Sequence, residues 1–376
     1  MKKALVNSHI LTGHTWQDEL ALLIEDEKIS GLCRVADCPV GYECEDLAGG
    51  YLLPGFIDIQ VNGGGGMMLN DARTLADIET IAAAHRKFGT TGMLPTLITD
   101  SWERMTEVAA LIREAIAKGV PGILGIHFEG PYLNPVRNGV HDKRQIRALD
   151  DKFIDLVTQG DLGCVLVTLA PEKVPLETIR KLTAKGVRVS AGHSAASFDE
   201  MTAAIDAGLT GTTHLFNAMP PMESRSPGLI GAALTCPDCY CGIINDGHHV
   251  HPATLKVVIA AKGIDRLMLV TDAMSTIGTD MTEFHLGDTL IKLKDGRLTT
   301  EEGTLAGSAL DMATAIRNAT SLLGLPLEEA LPMATCTPAT YLGLEKSRGR
   351  IATGYRADLV LVDAGMNVLK SWIAGR

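Results

Sequence analysis

The sequence predicts an α/β protein: a (β/α)8 TIM-type barrel with a small β-sandwich domain formed from both termini. Three observations predict it. Through the middle of the 376-residue chain, about eight short apolar runs alternate with amphipathic stretches, the repeat number such a barrel requires. Both ends read instead as strands and turns, so one small β domain assembled from the two ends is the economical arrangement. Finally, Gln60, Glu129, His193, His214, Asp246 and Asp272 all fall at the C-terminal ends of the apolar runs or just past them. In barrel enzymes that face carries the active site.

Taken in order, Ala4–Val6 and Leu20–Ile24 are strand-like, and Asp26–Ser30 is a turn entering another strand. The barrel strands are expected at Phe56–Val61, Gly92–Ile98, Gly122–Phe128, Cys164–Leu169, Val187–Ala191, Gly211–His214, Tyr240–Ile244 and Leu267–Thr271. They are almost continuously apolar, as parallel strands covered by helices should be. Amphipathic helices are expected at Leu75–Phe88, Ser101–Lys118, Pro175–Lys185, Phe198–Ala207 and Pro252–Lys262. Residues 283–300 read as an inserted hairpin turning at Lys294-Asp-Gly-Arg297, and residues 309–342 as helical. Gly349–Val362 and Val368–Ile373 return to strand character. The expected division is residues 1–52 with 345–376 for the β domain and 53–344 for the barrel.

Composition narrows the function. A net charge of −11 leaves no basic surplus to neutralise phosphates, so nucleic acid is not an expected partner. A small phosphorylated ligand needs only one local Arg or His. No apolar run approaches the ~18 residues of a membrane span. Met1-Lys2-Lys3 has the charge of a signal start, but Asn7, Ser8, His9 and Thr12 interrupt the apolar run behind it; a cytoplasmic protein with no membrane partner is expected. The eight cysteines are expected as free thiols. Cys236-Pro-Asp-Cys239-Tyr-Cys241 is half a zinc knuckle without a second half at usable spacing.

Glu129, His193 and His214 are the candidate metal ligands. Singly, each reads as a strand-end polar residue bonded to backbone. At equivalent ends of the third, fifth and sixth strands, the three together form a metal site. Two nitrogens and a carboxylate oxygen suit one divalent ion, zinc before iron, cobalt or manganese. Asp272 closes an apolar strand, where an unpaired carboxylate is costly. Beside a metal it is a proton carrier; position alone leaves a helix N-cap open.

Several motifs now combine: Pro54-Gly-Phe-Ile-Asp58, His127-Phe-Glu129-Gly-Pro, Ser190-Ala-Gly-His193-Ser, Thr213-His214-Leu-Phe-Asn217-Ala-Met-Pro, Asp246-Gly-His-His249-Val and Val270-Thr-Asp272-Ala. In this order, from Pro54 to Gly307, the chain resembles the N-acetylglucosamine-6-phosphate deacetylases of the amidohydrolase superfamily. The resemblance implies removal of acetate from N-acetylglucosamine 6-phosphate to leave glucosamine 6-phosphate. It implies Asp272 and His141 as catalytic residues, His141 polarising the acetyl carbonyl; read without the resemblance, His141 is an ordinary loop histidine. It implies substrate contacts from Asn217 and Ala218, Leu305 near the acetyl group, and His249 and Arg225 at the phosphate. Arg225 alone reads as a solvated surface residue. In similar enzymes this arginine comes from a neighbouring subunit, so a homodimer or homotetramer is expected. Many members of the superfamily carry His-x-His where this chain has Gln60-Val-Asn62, and the binuclear relatives' lysine is missing after Leu169. One tightly held metal per subunit is therefore expected, with Gln60 and Asn62 contacting water or substrate. His127 lies two residues before Glu129 and shares its strand face. Three alternatives remain open: an N-acetylgalactosamine-6-phosphate deacetylase, a hydrolase of cyclic amides, and a catalytically silent sugar-phosphate-binding protein.

Overall fold

The computed structural model describes residues 2–376. Eight parallel strands follow one another in chain order: Phe56–Val61, Thr90–Ile98, Gly125–Glu129, Cys164–Leu169, Arg188–Ala191, Gly211–Thr212, Tyr240–Ile243 and Leu267–Leu269. The second and third strands are buried at every residue, so neither face shows the polar alternation of a half-exposed sheet. Side chains such as Ile126, Phe128, Val167, Val189 and Leu269 build a continuous core with the surrounding helices. Fold class and strand order agree with the sequence reading.

Between the first and last strands the seam is closed by a few specific bonds. Gln60 O accepts from Asp272 N at 3.0 Å, and Ala273 O accepts from Asn62 N at 2.9 Å. Below them the buried Asp58 carboxylate accepts from Thr271 Oγ1 at 2.5 Å and from the amide of Gln60 at 3.1 Å. This seam fixes Asp272 against Gln60 and Asn62, so the bonds that close the barrel also place the site.

The expected helices appear where capping chemistry starts them. Thr74 and Asp77 form a capping box before Leu75–Arg86, Ser101 caps Trp102–Lys118, and Ser197 with Glu200 boxes Phe198–Asp206. Two helices escaped the periodicity. Gly228–Thr235 has no charged residue, so it lacks the polar face that the pattern reads; Asp151–Val157 is only two turns long, capped by Asp150. The segment 309–342 is helical as expected, in separate pieces. Three pieces, Met312–Ser321, Leu327–Ala330 and Cys336–Leu342, are separated where Gly324 adopts φ 79° and where Pro326 and Pro332 intervene. The hairpin of 283–300 is present, with Asp295 and Gly296 both left-handed as a type I′ turn requires. A further strand, Leu305–Ser308, extends it and bridges to Ala273, bringing Leu305 to the strand ends.

Both chain ends build one seven-stranded mixed sheet. Lys2–Thr12 lies between Glu43–Pro54, its parallel neighbour, and the antiparallel Leu20–Glu25; Leu359–Val362 pairs with Glu43–Pro54 from the far end of the chain. Leu5, Ile10, Leu22, Leu52, Leu359 and Trp372 make its own core. Gly55 passes the chain from this sheet into the barrel. A Cβ there would sit 2.0 Å from Thr91 Oγ1, so only glycine fits. Among the described residues, no helix is long and apolar enough to cross a membrane.

Burial pushes the Asp58 carboxyl up to about 7, against the hydrogen bonds from Thr271 and Gln60. A carboxyl raised in the folded state favours folding below its unfolded pKa of about 4 and loses that contribution as pH climbs through the folded value. Asp58→Asn removes the titration. The urea midpoint of the wild type relative to this variant is expected to fall between pH 5 and pH 7.5; a difference independent of pH would contradict the assignment.

Candidate active site

At the C-terminal mouth of the barrel, Glu129 from the third strand meets His193 and His214, just past the fifth and sixth. Glu129 Oε1 lies 3.1 Å from His193 Nε2 and 3.0 Å from His214 Nε2, and the two Nε2 atoms are 3.0 Å apart. All three side chains are buried. The carbonyl of Arg137 accepts from His193 Nδ1 at 2.9 Å, placing that ring's proton on Nδ1 and a lone pair on Nε2. His193 Nε2 and Glu129 Oε1 are then two acceptors facing each other at bonding distance. His214 Nδ1 is buried with no partner. Crowded acceptors of this N,N,O type fit a divalent cation, and among the described residues this trio is the one group whose ligand atoms converge as a metal site requires. Burial pushes the Glu129 carboxyl upward, but the adjoining His193 and His214 outweigh it and hold Glu129 well below the usual range.

Asp272 stands beside the trio on the seam. Its Oδ1 accepts from Asn62 Nδ2 at 2.7 Å and from Gln60 Nε2 at 3.0 Å. Gln60 Nε2 also donates to Glu129 Oε2 at 3.1 Å. One amide thus bridges both carboxylates with two N–H donors, a task an imidazole nitrogen with one hydrogen cannot do. Asn62 Oδ1 stays buried without a partner. Desolvation, then the Glu129 charge, raises the Asp272 carboxyl, making it more basic than a solvated aspartate. His193, His214 and Asp272 all adopt left-handed backbone, φ 48°, 32° and 52°, a conformation uncommon outside glycine that concentrates at functional sites.

His141 is buried 4.3 Å from His193, ring centre to ring centre. The backbone N–H of Thr99 donates to its Nδ1 at 3.3 Å, and Thr99 Oγ1 lies at 2.7 Å. A backbone amide can only donate, so the His141 proton sits on Nε2, ready to be given to an oxygen. Burial holds His141 well below the usual histidine range, so it is a neutral donor. His127 is also buried; its Nε2 lies 2.7 Å from Thr168 Oγ1, and burial lowers it to about 4.

Asn62, Glu129, His141, His193, His214 and Asp272 open into a cavity of about 490 Å³, whose wall also includes Asn217, Ala218, His249 and Leu305; Gln60, expected at water or substrate, is buried behind this wall with its amide held by the two carboxylates. Asp246 Oδ2 accepts from His249 Nδ1 at 2.6 Å and fixes that ring. Arg225 is exposed and is not part of the wall. A larger cavity, about 990 Å³, lies against the terminal sheet near His9, Asp18 and Arg34; it contains no convergent ligand set and is remote from the barrel strand ends, so size does not identify the site. Sequence reasoning missed three neighbours: Thr99, Asp58 and Arg137. Only Asp58 had a signal, since it ends the Pro54-Gly-Phe-Ile-Asp58 motif.

Comparison with known proteins agrees with this geometry. Residues 51–376 match the amidohydrolase family, and residues 4–52 match the NagA composite domain. The chain is 45% identical to an N-acetylgalactosamine-6-phosphate deacetylase of Shewanella sp. (strain ANA-3), covering 97% of this chain and 93% of that protein. It is 33% identical to an N-acetylglucosamine-6-phosphate deacetylase of Haemophilus influenzae, covering 100% and 99%. The crystal structure of N-acetylglucosamine-6-phosphate deacetylase from Pasteurella multocida superposes with a TM-score of 0.96 at 36% identity, over 100% of this chain and 99% of that one. The chain belongs to the amidohydrolase family.

Thr99→Val removes the hydroxyl that orients His141 and leaves the metal ligands in place. Turnover of the loaded enzyme is expected to fall about tenfold, the lower end for a residue supporting a catalytic group, with metal content unchanged by elemental analysis. Unchanged turnover would separate Thr99 from the chemistry.

Proposed function

We propose that this amidohydrolase removes acetate from an N-acetylhexosamine 6-phosphate, with N-acetylglucosamine 6-phosphate as substrate and glucosamine 6-phosphate and acetate as products. The observation that carries the reading is the convergence of Glu129, His193 and His214 beside Asp272 on one cavity wall. Support comes from relatives that match along the whole chain and are named for this reaction. The 45% identity to a relative named N-acetylgalactosamine-6-phosphate deacetylase favours a second reading, in which the substrate is the isomer differing at one sugar carbon.

Glu129, His193 and His214 would hold one divalent ion, zinc before iron, cobalt or manganese. Such an ion supplies Lewis acidity and can lower the pKa of water to about 7. Asp272 takes the proton of the attacking water as the new C–O bond forms at the acetamide carbon. Gln60 and Asn62 occupy Asp272 Oδ1, which orients the carboxylate for that transfer. His141 donates from Nε2 to the acyl oxygen as negative charge builds there, a contribution on the order of 3 kcal/mol for one such donor. Asp272 then returns the proton to the nitrogen, the C–N bond breaks, and acetate and the amino sugar phosphate leave. Asn217 and Ala218 contact the sugar, His249 the phosphate and Leu305 the acetyl methyl. Arg225, exposed on its loop, reaches the phosphate in a neighbouring site of a homodimer or homotetramer in this reading, and the cytoplasm is the proposed compartment.

Acetate release from both hexosamine phosphates, before and after chelation and on metal return, tests the reaction. Turnover lost on chelation and restored by zinc is expected, with the ratio of kcat/KM values deciding between the sugars. Asp272→Asn is expected to lower turnover on the order of 10²–10⁴-fold, as loss of a general acid–base group does, without loss of metal. Near-normal turnover by Asp272→Asn would remove the proton-carrier role, and no turnover of either sugar by metal-loaded wild type would remove the function.

A further inference from the structure

The proposed substrate carries a phosphate dianion into a cavity that already contains two carboxylates, Glu129 and Asp272. Among the described residues lining that cavity, Arg137 is the one arginine or lysine. Its position is set independently of any ligand. Asn134 Oδ1 accepts from Val136 N at 3.0 Å, Asn134 O accepts from Arg137 N at 2.8 Å, and the Arg137 carbonyl accepts from His193 Nδ1 at 2.9 Å. The backbone is thus tied to the metal-ligand trio, while the side chain is left over. Arg137 is half-buried, its Nε is buried without a hydrogen-bond partner, and among the described residues it makes no ion pair. The nearby Glu172 does not answer it: that carboxylate is already bonded to Asn134, Ser194 and the amide of Ala195. The terminal guanidinium nitrogens are committed to no ion pair among the described residues, and a guanidinium matches phosphate oxygens.

We propose that Arg137 binds the phosphate of the substrate from within its own subunit and is a specificity-determining residue for phosphorylated sugars. This rests on the proposed function: a dianionic substrate brings the acceptor oxygens that the protein withholds. The same residue then serves two ends, its carbonyl setting the tautomer of His193 and its side chain meeting the far end of the substrate.

Arg137→Ala and Arg137→Lys test it, assayed on N-acetylglucosamine 6-phosphate and on unphosphorylated N-acetylglucosamine, with glucosamine 6-phosphate affinity measured by calorimetry. For Arg137→Ala the preference for the phosphorylated sugar, as a ratio of kcat/KM values, is expected to fall at least about tenfold, mainly through KM. Affinity for the product is expected to fall in parallel, Arg137→Lys to recover part of both, and metal content to stay at the wild-type value. A loss equal on both sugars, or one accompanied by metal loss, would assign Arg137 to holding the His193 loop and overturn the proposal, as would an unchanged ratio. If the wild type turned over neither sugar phosphate, the functional reading would fail by itself; the calorimetric comparison would still decide whether Arg137 holds phosphate.

Discussion

Three ligand-type atoms crowded into a dry space are what the rest of this structure serves. Glu129 Oε1 and the Nε2 atoms of His193 and His214 lie within 3.1 Å of one another and are buried. Left to themselves, a carboxylate and the lone pair of His193 Nε2 cannot be packed together away from water at low cost. The surroundings nevertheless enforce the arrangement. The Arg137 carbonyl holds the His193 proton on the outer nitrogen, and Gln60 occupies the second oxygen of Glu129. Left-handed backbone at His193 and His214 aims both rings inward. A site that accumulates acceptors and assigns its protons elsewhere is prepared for a cation.

The barrel seam extends the same constraint to the acid–base side. Asp272 reaches the trio because its backbone is bonded to Gln60, whose side chain joins Asp272 to Glu129. At positions 60 and 62 this chain places amides that donate to carboxylates and so brace Glu129 and Asp272. Asp58 secures the brace from below through Thr271.

Much of this is legible in the sequence because apolar runs end abruptly at the functional residues. Each run has to be a strand, and the polar residue after it has to lie at the barrel mouth, which brings Glu129, His193, His214 and Asp272 together on sequence alone. The hidden parts lack a pattern. Gly228–Thr235 is helical without an amphipathic face, and the helical character of 309–342 does not show where Gly324 and two prolines divide it. The supporting partners are equally silent. Thr99 is an ordinary residue after a strand until its amide is seen at His141 Nδ1. Arg137 is one of many arginines until its Nε proves buried and unpaired in the cavity wall. Gln60 reads from sequence as a contact to water or substrate; its two donors to two carboxylates are a property of three dimensions.

Metal content per chain is the measurement that tests the central claim most directly. Purified wild type, loaded with zinc and freed of excess, should contain one equivalent by elemental mass spectrometry, and Glu129→Gln and His193→Asn should each lose most of it while keeping wild-type helix and strand content by circular dichroism. Two equivalents in the wild type, or one equivalent retained by both variants, would contradict a single ion held by Glu129, His193 and His214.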